Sequence, residues 1–168
     1  MDYLNYLSNF KKAAADLDGK LLVEKELEIE VDIWLDSVVL RLLKKSWANK
    51  PFEKPQSDAS IFFSIWLNQA SLEEGKVYYN IHALKLRNLH GYSIMSREFA
   101  SDFRERFTSF ENSWPNVSVK FGPRTLMQGW KKIDLEYLDS DISELANKFL
   151  KVDSLIDGLL IKRKLMKV

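Results

Sequence analysis

Two runs rich in Ile, Phe, Val and Tyr, residues 60–68 and 76–86, flank the turn-prone Ser71-Leu72-Glu73-Glu74-Gly75. Such runs joined by a short breaker predict a β-hairpin. A hairpin constrains the rest of the chain, because alternate side chains must point to opposite faces. In the first run Ile61, Phe63, Ile65 and Leu67 share one side, leaving Phe62, Ser64, Trp66 and Asn68 on the other. In the second, Val77, Tyr79, Ile81 and Ala83 separate from Tyr78, Asn80, His82 and Leu84. Matching the apolar sides yields one core wall and one mixed aromatic and amide face.

A second hairpin is predicted further on. Val117, Val119 and Phe121 alternate with Ser118 and Lys120, and Gly122-Pro123 turns the chain into a strand over about Thr125 to Asp134. Gln128, Trp130 and Lys132 share a parity there and extend the polar face if they point the same way.

Helical spacing marks other segments. Tyr3, Leu7, Phe10, Ala14 and Leu17 predict a helix over 2–17, stopped by Asp18-Gly19. Phe99, Phe103, Phe107 and Phe110 form one aromatic stripe on a helix from Ser96 to about Glu111. Asp141 with Glu144 resembles a capping box, opening a helix whose stripe runs from Ile142 to Leu160 and on towards Lys164. The stretch 27–47 fits two periods. Leu27, Ile29, Val31 and Ile33 alternate with acids as a strand would, yet Leu27, Val31, Trp34, Leu35, Val38 and Leu42 also share a helical face. A helix over at least Asp32–Trp47 is the expectation. The predicted order is ααββαββα, an α+β domain spanning 1–168 with a mainly antiparallel four-stranded sheet covered by about four helices.

Composition narrows the function. The 168 residues carry 25 basic and 24 acidic side chains, a balance that disfavours a DNA-wrapping protein. With no cysteine there is no disulfide, zinc-thiolate site or thiol nucleophile. His82 and His90 lack carboxylates at ligand spacing, and no glycine-rich phosphate loop occurs, so neither metal nor cofactor is implied. The longest apolar runs fall far short of the roughly 20 residues that span a bilayer, and Met1 opens onto acid and aromatics rather than a basic, apolar leader. A cytoplasmic protein without a membrane partner is expected.

The polar sheet face is the leading candidate site. Trp66, Asn68, Tyr78, Asn80, His82, Gln128 and Trp130 would form a platform on which rings stack and amides read polar edges, suited to a small planar or polar ligand or to a protein partner. The same face is also the wall expected to receive the N-terminal helices, with a groove surviving where that cover is partial. Two alternatives come with it. Residues 85–124 hold seven basic against four acidic side chains, so Arg87, Arg97, Arg104, Lys120 and Arg124 are candidate contacts to nucleic acid or another anion. His82 near Ser64 across the hairpin would be the base of a small hydrolase or transferase, although no nucleophile elbow or third acid accompanies the pair.

Overall fold

The computed structural model describes residues 1–166. The chain runs α1 (Tyr3–Ala15), α2 (Gly19–Glu24), β1 (Leu27–Trp34), β2 (Ser37–Lys44), β3 (Ser60–Leu67), α3 (Gln69–Glu74), β4 (Lys76–Leu84), α4 (Ser96–Phe107), β5 (Thr125–Lys132), α5 (Leu138–Phe149) and α6 (Asp153–Ile161). The α+β class with one antiparallel sheet stands, but the sheet has five strands in the simple order β1-β2-β3-β4-β5. None of the helices among the described residues is long and apolar enough to cross a membrane.

The helix expected over 32–47 is replaced by the β1–β2 hairpin. Every residue from Val38 to Lys44 is buried, so β2 is apolar on both faces and reads like a helix stripe. The turn hid the hairpin further. Leu35 (φ 49°) and Asp36 (φ 60°) both occupy the left-handed region that a two-residue hairpin turn requires, where Asn-Gly would be the ordinary signal.

Three more expectations change. The 71–75 turn lies within and just after α3, a short helix capped reciprocally by Asn68 and Ser71 and ended by Gly75 at φ 73°. The predicted strand 117–121 contributes one bridge, Ser118 to Gln128, and β5 pairs with β4 instead. Pro115, Asn116 at φ 49° and Gly122-Pro123 crowd that segment too closely for a ladder. The C-terminal helix breaks at 150–152 into α5 and α6.

The helical layer lies on the Phe63 face of the sheet. Phe149 of α5 stacks on Phe63 with ring centroids 4.5 Å apart, and Trp114 joins Phe63, Tyr79 and Phe107 of α4 in one aromatic cluster. Helix α1 packs on α5, β1 and β2, where Ser143 donates to the Ala13 carbonyl at 3.0 Å. The N-terminal residues therefore bury their stripe against the apolar wall, and the expected cover over the polar face is not there. Helix α6 is tied to β2 by charge. Lys44 Nζ lies 2.5 Å from Asp157 and 3.2 Å from the buried Asp153, while Trp47 Nε1 donates to Asp157 at 2.9 Å. Burial pulls the Lys44 ammonium down, and the hydrogen bonds and charges of Asp157 and Asp153 outweigh it, so its pKa is raised.

Close packing leaves no room at one glycine. Tyr79 opposes Gly129 across β4–β5, and its hydroxyl passes over that glycine to donate to the Pro115 carbonyl at 2.6 Å. A Cβ at Gly129 would overlap the Tyr79 hydroxyl and lie 2.9 Å from that carbonyl. Gly129→Ala should cost about 1–3 kcal/mol as overpacking does, whereas Gly122→Ala, with nothing within 4 Å, should stay near parental stability. Urea unfolding of both variants checks this. At the β1–β2 turn, Leu35→Asn with Asp36→Gly should raise stability by about 1 kcal/mol, because non-glycine residues with positive φ are strained. A lower thermal midpoint for that double variant would contradict the turn geometry.

Candidate functional site

Strand register sets one polar row across the whole sheet. Glu30 pairs with Arg41, Arg41 with Ser64, Ser64 with Asn80 and Asn80 with Gln128, one residue from each of the five strands. Their side chains share the face away from the helices, because each neighbours a core residue in its strand. Ser64 donates to Asn80 Oδ1 at 2.7 Å, and Asn80 Nδ2 donates to Gln128 Oε1 at 3.3 Å. Aromatic residues border this row on both sides. Trp66 stacks on Tyr78 at 5.4 Å, and Phe62 lies 4.7 Å from His82. A bulge at Ile81/His82 breaks the alternation of β5, so that both Thr125 and Gln128 reach the same hollow.

The row is closed at the β2 side by the segment 48–59. Arg41, only 1% exposed, donates to the carbonyls of Glu53 and Pro51 at 3.1 Å each and to Glu30 at 2.5 Å. Its guanidinium carbon lies 5.2 Å from the Trp34 ring centroid and 5.8 Å from that of Phe62. Gln56 donates to the Lys50 and Pro51 carbonyls, fastening the segment to itself. What remains is a pocket of about 440 Å³. Its floor includes Arg41, Ser64, Asn80 and Gln128, and its walls include Trp34, Pro55, Gln56, Phe62, Trp66 and His82.

Four of the residues expected on the platform line this pocket: Trp66, Asn80, His82 and Gln128. Tyr78 backs Trp66 and sends its hydroxyl to Glu74. Trp130 pairs with Tyr78 on the same face but stands outside the pocket, with Lys76 Nζ 4.2 Å from its ring centroid. Asn68 is used as the cap of α3 and donates to Ser37. The pocket residues that sequence reasoning missed, Trp34, Arg41 and Gln56 among them, belong to the misassigned 32–47 stretch and to the loop after it. An arginine inside the apolar run Val38–Leu43 was the available signal.

The basic residues differ in their surroundings. Arg104 is committed to structure, donating to the carbonyls of Phe121, Gly122, Thr125 and Leu126 at 2.9–3.2 Å. Arg87 and Arg124 share a hollow with Lys85, while Arg97 and Lys120 are exposed and do not line it. Among the described residues no group of three histidine or carboxylate side chains is arranged to hold a metal ion. Ser64 is opposite Asn80 rather than His82 and gives its proton to Asn80, so the structure does not assemble the serine–histidine pair.

His82 is neutral at physiological pH. Burial lowers its pKa from 6.5 to about 4. The unfolded chain takes up a proton near pH 6.5 that the folded chain refuses until about pH 4, so acid favours unfolding within that window and the contribution vanishes above it. Denaturant midpoints measured against pH should therefore fall more steeply for the parent than for His82→Gln between pH 6.5 and 4. Parallel curves would mean that His82 titrates normally. Comparison with known protein families, curated proteins and solved structures finds no match to this chain.

Proposed function

We propose that the protein is a binding module that takes a small planar, polar molecule in the pocket over the Arg41–Ser64–Asn80–Gln128 row. One observation carries this: a hollow of about 440 Å³ combines polar side chains, Ser64, Asn80 and Gln128, on its floor with aromatic rings, Trp34, Phe62 and Trp66, in its walls. The aromatic walls suit a flat ligand, since rings stack on planar groups while polar atoms fix orientation.

The pocket's tryptophans provide the test. Planar compounds screened by intrinsic fluorescence and thermal shift should include binders that quench the parent protein and raise its unfolding midpoint. Trp66→Ala should weaken such a binder by about 1–3 kcal/mol, the contribution of one stacked ring, and Trp130→Ala should leave affinity unchanged. Equal losses in the two variants would place binding elsewhere on the sheet. Absence of any binder at millimolar concentration would remove the proposal.

A further inference from the structure

We propose that the corner where β4 ends and β5 begins is a second binding site, one that takes the phosphate group of a small phosphate monoester among Lys85, Arg87 and Arg124. It lies apart from the sheet pocket, and no residue lines both hollows.

The sequence prepares this corner. Residues 75–97 and 112–133 contain no aspartate or glutamate and are the two longest such stretches in the chain. Folding joins them: the Ala83 amide, near the end of β4, donates to the Arg124 carbonyl at 2.8 Å, immediately before β5 begins. Lys85 then takes the left-handed conformation at φ 48°, and Leu86–Asn88 forms a single tight turn that includes Arg87. Every residue lining the resulting hollow of about 520 Å³ belongs to one of the two stretches, so no acid lines it.

The three cations are also free of structural duty. Arginines that serve the fold are held by it: Arg41 by Glu30 and two carbonyls, Arg104 by four carbonyls and Arg163 by Asp102. Among the described residues Lys85, Arg87 and Arg124 pair with no carboxylate, and all three are exposed. The nearby acids of α4 are engaged elsewhere, since Glu98 and Asp102 lie 3.4 and 2.5 Å from Arg163.

Like charges around one hollow repel each other. A phosphate monoester, with about −1.5 to −2 charges at pH 7, relieves that repulsion more fully than a carboxylate does. Such attraction depends on how many charges lie within about 10 Å, one Debye length, and not on a fixed direction of flexible side chains. Arginine forks match phosphate oxygens in pairs, and Asn88 and Ser96 bring uncharged donors to the same hollow. Arg97 and Lys120 do not line it. The hollow itself therefore offers three charges, enough for one phosphate dianion and short of the successive phosphates of a nucleic-acid strand.

Glycerol 3-phosphate is the probe, because it has no ring to occupy the sheet pocket. Added to the ¹⁵N-labelled protein, it should shift the backbone amides of Lys85, Asn88, Ser96 and Arg124 and leave the Trp66 indole signal in place. Lactate, with a single negative charge, should bind at least about fivefold more weakly. Arg87→Gln and Arg124→Gln should each weaken glycerol 3-phosphate about fivefold, the contribution of one exposed ion pair, at unchanged unfolding midpoints. Arg97→Gln, exposed but outside the hollow, should leave its affinity at the parental value. Equal losses in Arg97→Gln and Arg124→Gln would reduce the interaction to general screening and overturn the site. Lactate binding as tightly as the phosphate would overturn the phosphate assignment. Tighter binding of a short oligothymidylate without terminal phosphates, at the same amides, would make the corner a nucleic-acid contact and overturn the monoester assignment. No shift of these amides at millimolar glycerol 3-phosphate would remove the site.

Discussion

A fully charged guanidinium sits almost completely out of water on a sheet face, and much of the polar half of the molecule follows from that. Isolating such a charge in a protein interior costs several kcal/mol unless opposite charge and hydrogen bonds surround it. Arg41 receives Glu30 from the neighbouring strand, two carbonyls from the segment 48–59 and two aromatic rings. The β1–β2 register that aligns Glu30 with Arg41 and the path of the chain past Pro51 are thus parts of one solution. The pocket is the space this solution leaves between the covering segment and the remaining strands.

Much of the sheet was legible from side-chain parity. In β3 and β4 the alternation is strict, and Trp66 and His82 do lie opposite the face of Phe63 and Ile65. The phenylalanine stripe of α4 was equally readable, with Phe99, Phe103 and Phe107 buried. What could not be read was the first hairpin. Its second strand is buried on both faces, so period 2 is erased, and its turn is made by Leu35-Asp36 without glycine or asparagine. Missing those strands moved Arg41 and Trp34 off the sheet, and half of the pocket went with them. The position of the N-terminal helix was beyond sequence too, because an amphipathic stripe does not say which of two walls receives it.

The two sheet edges are protected in different ways. β5 is bridged at Ser118, so part of its outer hydrogen-bonding rim is already occupied. β1 is the other edge, and Glu28, Glu30 and Asp32 alternate along it. Each of these acids has a cation beside it: Lys45 lies against Glu28, Arg41 against Glu30, and Lys54 against both Glu30 and Asp32. The acids that alternate along residues 28–32 thus draw the basic side chains of β2 and of the residues after it against this edge.

The one-sided helical layer separates two kinds of selection. Residues such as Phe63, Phe149 and Trp114 answer to the stability of the core, and a change in any of them is felt throughout it. Gln128 and Trp66, by contrast, are partly exposed on the face away from the helices. The same five strands therefore present one side whose side chains are fixed by packing against helices and one whose side chains are not, so substitutions are constrained far more tightly on the first.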